Sequence, residues 1–162
     1  MKAAVYHDVN DIRYEEIPVP KIGARDVLIR MKACGLCGTD IHKAMYKTVT
    51  PPIVLGHEVS GVIVEKGSEV SHFNVGDKIF VAHHVPCFTC HFCLHDHHTL
   101  CRQFKETNID PGGFAEYIRI PEENVKNTMH KIPEGLTFEE AAMAEPVACC
   151  MHGIRYAEIM QG

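Results

Sequence analysis

The sequence predicts a mainly β fold: a compact barrel or sandwich that carries a cysteine-rich lobe and leads into C-terminal helices. Three observations point there. Short apolar stretches recur between Gly, Pro and Asp turns through the first 120 residues. Four cysteines, Cys87, Cys90, Cys93 and Cys101, fall at the spacing C-x2-C-x2-C-x7-C. Beyond residue 136 the pattern turns helical, opening on a Thr-x-x-Glu start signal at Thr137 and Glu140.

Taken in order, residues 2–6 begin as a strand. Residues 12–17 carry alternating apolar positions and are broken by Pro18, Pro20 and Gly23. Residues 27–33 are a stronger strand, alternating apolar with basic side chains toward their C-terminal end. A strand over 59–65 contains Val62, Ile63 and Val64 and runs into a turn at Gly67 and Ser68. A second turn at residues 75–78 leads into a strand over 79–82, and Gly112-Gly113 precedes an alternating strand over 114–120. Thr137 caps a helix over 138–144, with Glu140 at the third helical position. Pro146 ends that helix and, as a first helical residue, starts a second one running to Met160.

With 162 residues, 46% hydrophobic and 23% charged, the chain can bury a core. A net charge of −5 supplies no attraction for nucleic acid or an anionic membrane, and neither is expected as a partner. No apolar run approaches membrane-spanning length, and the N-terminus has no apolar secretory stretch. The expected setting is reducing and cytoplasmic. There the eight cysteines read as metal ligands, packed small residues or reactive thiols before disulfides.

The four clustered cysteines cannot all pair as disulfides in so short a loop without severe strain. Four thiolate sulfurs do satisfy one tetrahedral zinc completely. Such a saturated ion pins a loop and does no chemistry; a loop of free thiols is the rival. Six of the twelve histidines, His83, His84, His91, His95, His97 and His98, gather around this segment. The His95-to-His98 run reads as solvated decoration.

Two further stretches carry ligand types, Cys34-Gly35-Leu36-Cys37-Gly38-Thr39-Asp40-Ile41-His42 and Gly56-His57-Glu58. A zinc that does chemistry takes about three protein ligands and keeps one position open. Cys37 and His57 meet that need only if the fold brings them together. Cys34 with Cys37 could form a redox pair, but no βαβ pattern surrounds them; Cys34 reads as a packed small residue.

These residues resemble one family. Gly56-His57-Glu58-x2-Gly61-x5-Gly67-x2-Val70 is similar to the zinc signature of the medium-chain zinc-dependent alcohol dehydrogenases. The Cys37-Gly38-Thr39-Asp40-x-His42 segment, the four-cysteine lobe, Gly76-Asp77, residues 112–117 and Ala144-Glu145-Pro146 extend the likeness, in the same order. Glu145-Pro146, with no cysteine there, resembles the sorbitol and threonine dehydrogenase branch. The zinc-free quinone reductase branch shares the barrel but usually lacks both the lobe and the Gly-His-Glu ligands.

The resemblance implies a GroES-like catalytic domain over 1–136, with its zinc lobe at 84–104, and helices over 137–162 leading toward a nucleotide-binding Rossmann domain that is absent from this sequence. It implies one structural zinc on Cys87, Cys90, Cys93 and Cys101. It implies one catalytic zinc on Cys37 and His57, with Glu58 as a third or alternate ligand and Glu145 bound directly or through water. Thr39 would accept the proton of the substrate hydroxyl and His42 would pass it to solvent. The implied reaction is oxidation of a secondary alcohol, a polyol or amino alcohol, with NAD or NADP, in a homo-oligomeric complete enzyme.

Each role has a plainer rival. His57 could be a satisfied core histidine, Glu58 an orienting neighbour, Glu145 a charge at a helix N-terminus, Thr39 a helix N-cap and His42 a surface residue. Cys149 and Cys150 read as packing. No G-x-G-x-x-G follows any strand, so no residue is a candidate for the dinucleotide. The chain alone is therefore expected to be inactive; because the resemblance implies a returning segment that covers sheet edges and apolar faces, it is also expected to be marginal, oligomeric or aggregation-prone. A non-catalytic zinc-binding interaction module is the alternative function.

Overall fold

The computed structural model describes residues 1–157. Eight strands form two antiparallel sheets. The smaller has the order β2-β1-β4, from β1 (Lys2–Asp8), β2 (Asp11–Glu16) and β4 (Ile53–Val54). The larger has the order β7-β3-β5-β6-β8, from β3 (Val27–Gly35), β5 (Glu58–Lys66), β6 (Lys78–Val81), β7 (Tyr117–Ile120) and β8 (Met129–Lys131). The helices are α1 (Gly38–Tyr46), α2 (His91–Leu94), α3 (Arg102–Glu106), α4 (Glu122–Asn127), α5 (Phe138–Ala142) and α6 (Ala144–Tyr156), with a 3-10 turn at His98–Leu100.

Segment 114–116 joins the two sheets. Ala4 N–H donates to Phe114 O, and Glu116 N–H donates to Lys2 O, while Met31 N–H donates to Glu116 O. The predicted strand over 114–120 is thus divided: its first half belongs to the β1 edge and its second half is β7 beside β3. The fold is mainly β and barrel-like, closed by this crossing segment.

The core lies between the sheets. Val27, Leu28 and Ile29 are buried in succession, because β3 is flanked by β5 and β7 and covered on both faces. Ile29, Ile63, Ile79, Ile118 and Ile120 are sealed completely or nearly so. Each such side chain contributes about 1.5–3 kcal/mol by leaving water.

The helical expectations need three corrections. The helix predicted over 138–144 ends at Ala142, and Ala144 already opens α6, so Pro146 does not end it. Pro146 is the third residue of α6, not the first; the missing proline N–H still falls in the first turn, where it has no helical partner to lose. Thr39 does not cap a helix. The N-cap is Cys37, whose sulfur accepts from Thr39 N–H, while the Asp40 carboxylate accepts from Cys37 N–H at 3.2 Å. The capping box predicted at Thr137 and Glu140 is present on α5. The predicted end of the last helix at Met160 lies outside the described residues.

Candidate metal centres

The cysteine lobe is built on a tight knuckle. Phe88 adopts φ 58, which turns the chain so that Cys90 N–H points at Cys87 Sγ, 3.3 Å away. The N–H of Thr89, its hydroxyl at 3.6 Å and Cys90 N–H together pull the Cys87 thiol down to about 6. Cys87 N–H in turn donates to Cys101 Sγ at 3.4 Å. All four sulfurs lie within 4.8 Å of one another. Cys90 and Cys93 sulfurs are 3.6 Å apart and those of Cys87 and Cys93 3.9 Å. Tetrahedral zinc with bonds of roughly 2.3 Å spaces its sulfurs by roughly 3.8 Å, and a disulfide would need roughly 2.05 Å. The spacing fits a single ion and no disulfide.

The second centre forms where three strand and helix ends converge. Cys37 caps α1, His57 lies just before β5, and Glu58 begins it. Their ligand atoms all lie within 4.8 Å, with His57 and Glu58 buried and Cys37 half-buried. Sulfur, imidazole nitrogen and carboxylate oxygen in one cluster suit a zinc that keeps an open position.

Two glycines make room for this convergence. A Cβ on Gly35 would stand 1.9 Å from Glu58 Oε2. Gly56 has φ +91, and a Cβ there would meet Cys34 Sγ at 2.9 Å. Cys34 is packed beside the centre and outside it; burial, then the charges of Asp40 and Glu58, push its thiol up to about 12. A neutral, half-buried thiol is a packing residue.

Asp40 was not among the predicted site residues. Its Oδ1 lies 3.3 Å from His57 Nδ1 and also accepts Gly56 N–H at 3.1 Å. The carboxylate requires the proton on Nδ1, leaving His57 Nε2 free to ligate. The bond to Asp40 raises the His57 pKa against the opposing effect of burial. The signal was present in the sequence as the aspartate three residues after Cys37.

The other named residues fall around this core. Thr39 and His42 sit three apart on α1 and are exposed; among the described residues no hydrogen bond joins the Thr39 hydroxyl to the His42 ring. The His42 ring lies 4.8 Å from that of Tyr46. Glu145 is not in the Cys37, His57 and Glu58 cluster. It occupies the first turn of α6, where its Oε1 is 3.5 Å from Cys149 Sγ.

Glu145 also lines a cavity of about 420 Å³ between the barrel, the lobe and α6, with His83, His84, Phe104, Cys149 and His152 among its other walls. This cavity adjoins the second centre: the His83 and His57 rings are 4.6 Å apart. Burial, then the neighbouring His84, hold His83 down at about 3; burial also lowers His84. The His83 ring is uncharged near neutrality.

The profile of the alcohol dehydrogenase GroES-like domain matches residues 23–134. Sorbitol dehydrogenase of Bacillus subtilis (strain 168) is 37% identical over 100% of this chain and 47% of its own length. L-threonine 3-dehydrogenase of Rhizobium etli (strain CIAT 652) is 38% identical over 85% of this chain and 41% of its own. The crystal structure of galactitol-1-phosphate dehydrogenase from Escherichia coli aligns with TM-score 0.84 and 31% identity, over 98% of this chain and 45% of that one. The chain spans about half the length of the curated relatives it matches.

Proposed function

The chain belongs to the alcohol dehydrogenase GroES-like domain family, and from that premise we propose that it carries the zinc chemistry of a dehydrogenase that oxidises a secondary alcohol, a polyol or an amino alcohol, with NAD or NADP. The observation that carries this reading is the convergence of Cys37, His57 and Glu58 on one point. A zinc there supplies a Lewis acid that lowers the pKa of a hydroxyl toward neutrality.

The chain's own residues then divide the remaining work. Asp40 fixes the His57 tautomer. Thr39, beside Cys37 on α1, takes the hydroxyl proton without becoming charged, and His42 on the exposed side of the helix hands it to solvent. Glu145, in the wall of the adjoining cavity, is the carboxylate that would bind the ion directly or through water. The four-cysteine lobe holds a second zinc that shapes the cavity wall and stays out of the reaction. Both sheets are antiparallel and no glycine fingerprint opens a helix among the described residues, so none of them is assigned to the dinucleotide. A cytoplasmic, homo-oligomeric enzyme acting on a small alcohol completes the reading.

Elemental analysis with Cys37→Ala tests it. The expected content is about two zinc ions per chain, falling to about one in the variant, with loss of alcohol-dependent NAD(P) reduction in any form of the protein that shows it. One zinc per chain in both proteins would favour a non-catalytic zinc-binding module instead.

A further inference from the structure

The outer face of the cysteine lobe carries two imidazoles that neither metal centre uses. His91 opens α2 and His95 is its C-cap, and their ring centroids lie 4.4 Å apart. Residues four apart on a helix share a face, and two histidines at that spacing are a recurrent way to chelate zinc. Both side chains are exposed. His95 is oriented as well as solvated: its Nδ1 is 2.8 Å from His91 O. A carbonyl only accepts, so His95 carries its proton on Nδ1 and its Nε2 keeps a bare lone pair. A backbone carbonyl that holds one ring N–H is how metal-binding histidines are fixed in one tautomer. The His91 ring touches those of Phe92 and His95 and makes no hydrogen bond among the described residues, so it is able to turn a nitrogen toward an ion.

Geometry and charge both suit a cation there. A tetrahedral ion with bonds of roughly 2.0–2.1 Å to two imidazoles sets their centroids roughly 5 Å apart. The observed pair has only to open slightly, which exposed side chains do by small rotations within their rotamer wells. The same helix carries two of the lobe sulfurs, with Cys90 as its N-cap and Cys93 buried within it. Four thiolates around one zinc make a doubly negative cluster, so the filled lobe draws a cation toward this face. Nothing in the lobe's own segment opposes that field: residues 79–101 contain no lysine or arginine, and their one acid is Asp96. The neighbouring His98 is engaged elsewhere, its ring 5.8 Å from that of Phe88.

We propose that His91 and His95 form a third metal site, on the outside of the lobe, which takes zinc, nickel(II) or copper(II) on two imidazole nitrogens with water in the remaining positions. Imidazole suits these ions, whereas magnesium and calcium need oxygen ligands and are refused. With two protein ligands and open solvent on the other side, the ion exchanges, unlike the ion that four sulfurs enclose. The site shares no residue with Cys37, His57 and Glu58. It rests on a filled lobe and stands whether or not the dehydrogenase reading does.

The test is a nickel(II) titration of the full chain, saturated with zinc beforehand so that the thiolates are occupied, and followed by calorimetry. About one further ion should bind per chain, with the zinc content unchanged afterwards, and magnesium should give no heat. His91→Gln and His95→Gln should each weaken nickel binding by about 10-fold or more, since losing a ligand costs at least as much as losing a ligand's support. His97→Gln, in the same loop but outside the pair, should bind nickel as the unmodified chain does. Retained lobe zinc reports that each variant has folded. Where a variant loses that zinc, the unmodified chain still decides: paramagnetic nickel should broaden the ring protons of His91 and His95 before those of His83, His84 or His152. No nickel beyond the zinc, binding that survives either single substitution, or broadening that starts at other histidines would overturn the proposal. So would half an equivalent of nickel with a doubled mass, which would place the ion between two chains.

Discussion

Asp40 Oδ1 lies 3.3 Å from His57 Nδ1, with the Asp40 side chain 2% exposed and that of His57 10%. The pair links α1 to the start of β5, and it presents His57 Nε2 to the point where Cys37 and Glu58 converge. Asp40→Ala should weaken zinc binding at this centre by about 10–100-fold while the lobe keeps its ion. Competition against a chelator of known affinity measures both, and the lobe zinc reports that the variant has folded. Unchanged affinity would make Asp40 a helix cap alone.

The space at Gly35 belongs to Glu58. Gly35→Ala would set a Cβ 1.9 Å from Glu58 Oε2 and 3.1 Å from Glu58 Cβ. The far end of a glutamate can swing away, so the cost in stability is expected to be about 1 kcal/mol. Zinc affinity at the second centre should fall about 10-fold, as it would for a displaced ligand. Thermal unfolding alongside metal titration separates the two effects.

Asn124 is fully buried in α4, and its Nδ2 donates to Ala82 O at 2.8 Å and His83 O at 3.0 Å. It therefore holds the backbone that carries His83 and His84. Asn124→Ala leaves His83 O without its donor, while Ala82 O keeps the Thr128 hydroxyl, and should destabilise the chain by about 2 kcal/mol, read as a shift in denaturant midpoint.

Metal removal should act locally. The lobe cysteines sit outside the cluster of Ile29, Ile63, Ile79 and Ile118 that fills the barrel. Stripping zinc with a strong chelator should strip hydrogen-exchange protection from residues 84–104 and leave β3 and β5 protected. Loss of protection across the whole larger sheet would contradict this separation.

The α5 cap sets one pH dependence. The Glu140 pKa is lowered, first by Thr137 N–H at 2.8 Å and then by the Thr137 hydroxyl at 3.0 Å. A carboxylate with a depressed folded pKa stabilises the fold above its unfolded value, and that contribution disappears as pH falls through the folded pKa. Stability should therefore decline on acidification with a component that Glu140→Gln removes, since the amide does not titrate. A titration shift of the Glu140 carboxyl carbon to ordinary values would refute it.

Much of this architecture is written locally. β1, β2, β3, β5 and β6 are legible because alternating or β-branched stretches between Gly and Pro punctuation already favour a pleat. The same is true of α5, whose Thr137 and Glu140 announce its start. α1 is not legible that way: its cap is a cysteine, a residue that rarely caps, and Asp40 completes the box from within. β4 and β8, two and three residues long, exist only because β1 and β6 offer edges to pair with.

By itself the sequence determined which side chains are candidate ligands: thiolates at a spacing that suits one ion, and a histidine beside a glutamate between small residues. Only the tertiary structure decided which of them meet. It gathered Cys37, His57 and Glu58, left Glu145 outside that cluster on the cavity wall, and brought Asp40 to His57. The physical reason is range. Ligand identity and turn propensity act over a few neighbouring residues, whereas a proton's place on an imidazole depends on a partner that the folded chain delivers from elsewhere, as Asp40 does for His57 and Thr107 for His84.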